Sequence, residues 1–446
     1  MIGFYICLGI ILGILYIVMM SMMIIFERDK PKNIIIWSIV FVATQIVGYV
    51  VYILIRQVFY KKKNSLVTKQ KEDEIYNNLI SNELIDNSIE TKHDVFAFNE
   101  LAYNANTTIN NHYDLFKDAE TFKTNLIKDL NNAKKYIILE LTKVNRIYFE
   151  DIKDVLIEKA KSNVEVRFIY DRVHVGRLVK ELKTAGVRVY RFSKYNTVGK
   201  VYANLRNVIS IDGEIAYLPN LNMSKKQLKQ KAETSYAYLK IKGDVVQDIN
   251  VAVHKDAIFA SGKYVEFSNA EKSNYSNNCV MQYLSNQASS DMELALIKAI
   301  CMAKKSVQME LSQFIPTESI MSLLRFAINS NIAVRLMVPL KNYSFGTYFA
   351  SRAYAKELAL LGANVYLYDG YINFNAITID DEYVMCGSYI VDREHINTSP
   401  QNILFIKDNK AVKIYNDIFE DCIDNSYRIN NAKFMLLREK FFKNFV

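Results

Sequence analysis

The chain has 446 residues, half of them apolar, with 56 basic and 47 acidic side chains and a formal net charge of +9. The charge is concentrated: residues 1–71 hold nine basic and two acidic side chains, a balance of +7, and the other 375 residues come to +2. This excludes the broad basic face that nucleic-acid binding requires and places the excess where it suits anionic lipid headgroups.

In chain order, Ile2 to Phe26 is a run of 25 residues without a charge, and Ile34 to Ile55 is a second of 22. Each exceeds the roughly 20 residues a helix needs to cross a bilayer. A cleaved signal peptide would have a basic n-region and a shorter apolar run, so residues 1–60 are predicted to be a transmembrane helical hairpin. Its tip carries Arg28, Lys30 and Lys32 against Glu27 and Asp29. Arg56, Lys61, Lys62, Lys63, Lys69 and Lys71 follow the second span. That asymmetry predicts a cytoplasmic side for everything after the hairpin and for the N-terminus. Trp37 falls near the outer end of the second span, where indole rings favour the interface.

Residues 61–110 are polar and read as a juxtamembrane linker with one helix, Asp73–Ile85. Beyond it the sequence repeats itself. Ala133-Lys134-Lys135 with Ile137–Glu140 returns as Ala303-Lys304-Lys305 with Val307–Glu310, and Val164–Ile169 returns as Ile332–Met337. Ala185–Tyr190 returns as Leu361–Tyr366, and Ile209–Asp212 as Ile377–Asp380. A repeat of this length is a duplicated domain. Its halves are predicted at 111–265 and 275–446. Helical stretches such as Phe149–Lys161 and Glu318–Asn329 alternate with β-branched runs, which predicts a mostly parallel, mixed sheet. The expected fold class is therefore α/β: two transmembrane helices, then a duplicated mixed sheet flanked by helices. Five cysteines without CxxC spacing and five scattered histidines give no disulfide framework, metal site or cofactor site.

Leu156–Lys161 before Val164–Asp171, Phe314-Ile315-Pro316 with Glu318-Ser319, Ala350-Ser351-Arg352, Ile211-Asp212-Gly213 and Ile379–Glu382, together with the double-spanning N-terminus, resemble the bacterial cardiolipin synthases of the phospholipase D superfamily. The resemblance implies two phospholipase D-like α/β halves sharing one active site, each supplying an HxKxxxxD motif. In that chemistry one histidine attacks the lipid phosphorus and the other moves the proton. Two lysines hold the phosphate oxygens, and no metal takes part.

The corresponding positions here are Leu205, Asn207 and Asp212 in the first half, and Asn373, Asn375 and Asp380 in the second. Leucine has no lone pair and an amide nitrogen is not basic, so none of these positions is expected to be catalytically competent. Loss of general acid–base help alone costs a factor of ~10² to 10⁴. Arg206, Asn207, Asn222, Asn373, Asn375 and Ser388 are candidates for holding a phosphate or lipid without cleaving it; the competing reading is polar filling of a relic cleft. Asp212 and Asp380 each follow an apolar run and suit turn duty.

Two further segments have two readings each. The aromatic stretch Tyr343–Tyr354 is a lipid-facing lip or ordinary helix packing. Ala432–Val446 lies on anionic membrane or docks on a protein surface. The sequence thus points to a bacterial cell-membrane protein of two spans with its large domain in the cytoplasm. The resemblance makes it cardiolipin synthase-like. It would bind phospholipid, with phosphatidylglycerol or cardiolipin as candidates, or a partner: an active synthase, another membrane protein or a second copy. An active phosphatidyl transferase with unconventional residues and a scaffold in cell-envelope assembly are the rival readings.

Overall fold

A computed structural model describes residues 2–26, 31–44, 47–53, 94–142, 144, 146–171, 176–192, 204–219, 233–262, 278–285, 292–340, 345–393, 396, 399–429, 439 and 443. The chain divides into two units, one of residues 1–78 with 444–446 and one of residues 79–443.

In the first unit α1 runs Ile2–Phe26 and α2 runs Pro31–Thr44; residues 47–53 are helical again. Proline opens α2, where its missing N–H costs nothing. The helices meet through Met23, Phe41 and Tyr52, and Trp37 stands edge-on to Tyr52 at 5.0 Å. Aliphatic side chains such as Ile17, Ile39 and Val42 face outward, at least 65% exposed. α2 has 14 residues. Among the described residues no helix is long and apolar enough to cross a membrane.

The second unit opens with α3 (Val95–Tyr103), whose N-cap Asp94 accepts from the N–H groups of Phe96 and Ala97 at 3.0 and 3.1 Å. This helix and the start of β1 (Thr107–Phe116) occupy the end of the expected 61–110 linker. The expected helix Asp73–Ile85 lies outside the described residues.

From β1 the chain runs through α4 (Ala119–Asn132), β2 (Tyr136–Leu141), α5 (Arg146–Lys161), β3 (Glu165–Tyr170), α6 (Gly176–Thr184) and β4 (Arg188–Arg191). Then come β5 (Asn207–Ile211), β6 (Ile215–Leu218), β7 (Thr234–Ser235), β8 (Tyr238–Gly243) and α7 (Val245–Ser261). The series restarts with β9 (Asn278–Ser285), α8 (Met292–Cys301), β10 (Ser306–Leu311), β11 (Phe314–Ile315), α9 (Glu318–Asn329), β12 (Ala333–Pro339), α10 (Phe345–Leu360) and β13 (Asn364–Tyr368). It ends with β14 (Tyr371–Ile372), β15 (Asn375–Ile379), β16 (Tyr383–Gly387), β17 (Val391–Asp392), β18 (Asn402–Lys407), α11 (Asn409–Ile423) and β19 (Ser426–Arg428).

Among the described residues fifteen strands form one sheet. From the central pair β1–β9, one arm reads β8-β6-β5-β2-β3-β4 and the other β18-β16-β15-β10-β12-β13, with β19 added at the end. The two arms have the same order, as duplication requires.

The sheet is mixed but not mostly parallel. Parallel pairing is confined to β2–β3, β3–β4, β10–β12 and β12–β13; its other junctions, such as β5–β6 and β15–β16, are antiparallel. The short returns after Asp212 and Asp380 turn what read as separate β-branched runs into hairpins. A β-branched run carries no mark of its direction.

The expected helices at 149–161 and 318–329 are α5 and α9. In α9 the buried Ile320, Met321, Leu324 and Ala327 form one stripe at helical spacing. On one face of the sheet α7 and α11 cover a core drawn from both arms, including Val208, Leu239, Val253, Val384, Leu404 and Tyr415. A second core, around Phe122, Leu139, Phe149 and Phe168, fills the other face of the first arm.

Candidate functional site

Asp212 and Asp380 sit at the far ends of β5 and β15, in the left-handed region at φ 54° and 52°. Aspartate tolerates this conformation better than most residues. Asp212 accepts the backbone N–H groups of Lys134, Lys135 and Tyr136 at 2.7, 2.7 and 2.9 Å. Asp380 accepts those of Lys304, Lys305 and Ser306 at 3.0, 2.7 and 2.9 Å. Each carboxylate thus ties the start of a neighbouring strand, β2 or β10, to its own turn.

Replacing either aspartate with alanine removes three charge-assisted bonds and leaves a β-carbon at positive φ. A loss of about 2–4 kcal/mol is expected in urea denaturation. Asparagine, which keeps an acceptor oxygen, should lose less.

The near ends of β5 and β15 come together. Asn207 and Asn375 line one cleft, with Leu218 and Leu239 from the first arm and Ser388 and Tyr415 from the second. The two asparagines are held alike. Thr142 N–H donates to Asn207 Oδ1 at 3.2 Å, and Ser312 N–H donates to Asn375 Oδ1 at 2.8 Å. Asn207 Nδ2 donates onward to the Leu205 carbonyl at 3.1 Å. Ser388 N–H donates to Asn402 Oδ1 at 2.8 Å. Gly387, at φ 148°, admits no side chain, since a Cβ there would stand 2.5 Å from the Asn402 carbonyl oxygen.

Leu205 and Asn373 are buried and use their main chains to join the arms. Leu205 N–H donates to the Pro400 carbonyl at 2.9 Å, and Asn373 N–H to the Ser235 carbonyl at 3.0 Å.

Arg206 turns away from the cleft. Its guanidinium is fully buried against Asp256 and donates to the Gln401 carbonyl at 3.3 Å. Nearby, burial raises the Glu140 carboxyl above its ordinary range, against the attraction of Arg206 and a hydrogen bond from Asn204. Asn222 lies outside the described residues.

The cleft has a volume of about 20 Å³. That is room for roughly one water molecule, against several hundred Å³ in a typical ligand pocket. Among the described residues no imidazole or ammonium group lines it. His254 is buried on α7, where burial lowers its pKa to about 4; it stands edge-on to Tyr136 and bonds the Asn250 carbonyl through Nδ1 at 2.8 Å. His112 is half-exposed beside Asp114. Cys386 also lines the cleft, and burial pushes its thiol up to about 12, so it is inert as a nucleophile at neutral pH.

The profile described as "Cardiolipin synthase, PLD-like domain" matches residues 296–423. The probable cardiolipin synthase YwiE of Bacillus subtilis is 24% identical, over 92% of this chain and 86% of that protein. The cardiolipin synthase of Alkalihalophilus pseudofirmus is 27% identical, over 94% of this chain and 88% of its own length. The chain thus resembles the bacterial cardiolipin synthases, with a PLD-like domain matched over part of its second half.

A solved phosphatidylserine synthase from Haemophilus influenzae has the same fold as this cardiolipin synthase-like protein. Its TM-score is 0.57 at 11% identity, covering 75% of this chain and 92% of that one.

Sequence reading missed the acids that buttress this site. Glu140 and Glu310 are equivalent in the repeat and both are buried, as is Asp256. The visible signal was a carboxylate placed inside each apolar strand, Ile137–Leu141 and Val307–Leu311.

Of Ala432–Val446, the two described residues, Glu439 and Lys443, meet α10. Glu439, fully buried, takes Lys356 at 2.7 Å and approaches Arg352 at 3.5 Å; Lys443 pairs with Glu357 and lies 5.0 Å from the Tyr354 ring centre. Tyr348 packs edge-on to Phe349 at 5.0 Å within the same helix.

Proposed function

We propose that this is a cardiolipin synthase-like protein anchored in the bacterial membrane by residues 1–60, with its large domain cytoplasmic. In this reading it binds phospholipid or a membrane partner without performing phosphohistidine transfer. The observation that carries the reading is the cleft itself. Leucine and asparagines stand where the family chemistry needs imidazoles and ammonium groups, and the space between them holds about one water.

Anchoring rests on the 25 uncharged residues of α1 and on the aliphatic side chains that α1 and α2 turn outward. The named relatives are cardiolipin synthases, which makes phosphatidylglycerol and cardiolipin the first lipids to test. That same likeness over nearly the whole chain supports a second reading, an active synthase working through other residues.

Purification from native membranes, with co-purifying lipids and proteins identified, separates the roles. Enrichment of phosphatidylglycerol, cardiolipin or one membrane protein over a hairpin-only control is the expected result. A lipid and protein profile equal to that control would refute binding by the large domain. Residues 1–60 are expected to hold the protein in the pellet through alkaline carbonate washing, and release into the supernatant would remove the anchor.

A further inference from the structure

The two halves exchange one small element away from the main sheet. β7, from the first half, pairs in parallel with β14 of the second. The Glu233 carbonyl accepts Tyr371 N–H at 3.0 Å, and the Ser235 carbonyl accepts Asn373 N–H at the same distance. Gly370 makes the approach possible, because a Cβ there would stand 2.4 Å from the Glu233 carbonyl oxygen. Directly behind this ladder, Ser235 Oγ donates to the Glu310 carboxyl on β10 at 3.0 Å.

Glu310 is 4% exposed, and among the described residues the groups that hydrogen-bond to it, Ser235 and Cys422, are neutral. The groups facing it are the Cys422 thiol from α11, the Tyr368 phenol from β13 and Ser235, with Glu233 beyond. Arg335, on the adjacent β12, is engaged by Glu420 and by Gln308 at 2.6 and 2.9 Å. Asp421 acts electrostatically on Cys422.

We propose that Glu310, buried beneath the β7–β14 ladder, is a pH-sensitive latch between the halves: with its carboxyl neutral the junction stays closed, and ionisation of this buried group favours an opened, solvated junction that frees the segment leading to Asn373 and Asn375.

Burial pushes the Glu310 carboxyl up to about 8, with the Ser235 and Cys422 hydrogen bonds opposing it. The sign follows from that direction. In the closed junction the group keeps its proton to higher pH than in an opened, solvated one. Closure is therefore fully favoured below the ordinary glutamate range and is progressively lost as pH rises toward 8. Within that window the opening constant rises by about tenfold per pH unit and levels off above it. Cys422, which burial raises to about 12, and Tyr368, raised further, stay neutral throughout.

The test is amide hydrogen exchange on the full chain in lipid nanodiscs at pH 5.5, 6.5, 7.5 and 8.5, read as protection factors so that intrinsic exchange cancels. Tyr371 and Asn373 should lose about 100-fold of protection between pH 5.5 and 7.5, while Ile209 in the central sheet stays constant. Glu310→Gln, which keeps shape and hydrogen bonding, should flatten that dependence. Glu310→Met serves as a second neutral variant should the amide misfold. An unchanged slope in both variants, or constant Tyr371 and Asn373 protection in the parent chain, overturns the latch.

Discussion

Reconstituted with phosphatidylglycerol vesicles, the protein is expected to form no cardiolipin and release no glycerol. Its rate should fall at least ~10⁴-fold below that of the Alkalihalophilus pseudofirmus synthase assayed in parallel. Loss of a general acid–base alone costs ~10² to 10⁴, and the proposed reading has the nucleophile and both phosphate-holding cations replaced as well. Leu205 offers no lone pair. Asn375 Oδ1 is committed to Ser312, whose N–H and O–H both donate to it, at 2.8 and 2.9 Å. Asn207 is committed on both its oxygen and its nitrogen. The assay should include rapid acid quench and a search for phosphorylated side chains. Turnover at the synthase's rate, lost on changing Asn373 or Asn375, would establish the active-enzyme reading instead.

The second large effect concerns Arg206. Were it a phosphate ligand, Arg206→Met would leave the fold intact and weaken lipid retention. The buried contact with Asp256 predicts the opposite: loss of about 3–5 kcal/mol of stability, because a desolvated carboxylate is left without its partner. Glu140, also buried nearby, would lose an attraction that opposes its raised pKa. The double variant Arg206→Met with Asp256→Leu removes both charges and should recover much of the loss, as apolar replacement of buried pairs often does. Chemical denaturation of the single and double variants decides between these outcomes.

Much of the architecture can be read from the residues. The repeated text around Glu140 and Glu310, and around Asp212 and Asp380, marks the two equivalent arms of the sheet. Aspartates following apolar strands suit turns, and both make the same three backbone bonds.

The direction of the strands is harder to read, since Asn207–Ile211 would look the same in a parallel or an antiparallel pair. Nor does sequence separate a buried charge from a solvated one. Arg206 reads as a free cation until Asp256, fifty positions later, is folded against it. The Ser235–Glu310 contact spans 75 positions and has no local signature. Asn207 and Asn375 line one cleft, as their equivalent places in the repeat suggest, but the volume of that cleft depends on side-chain packing that no local pattern records.

The ties made by Leu205 and Asn373 across the two halves run through peptide groups, which every residue except proline possesses. An architecture joined in this way is indifferent to what those two positions project. Selection could rewrite the chemistry of the site and leave the scaffold standing.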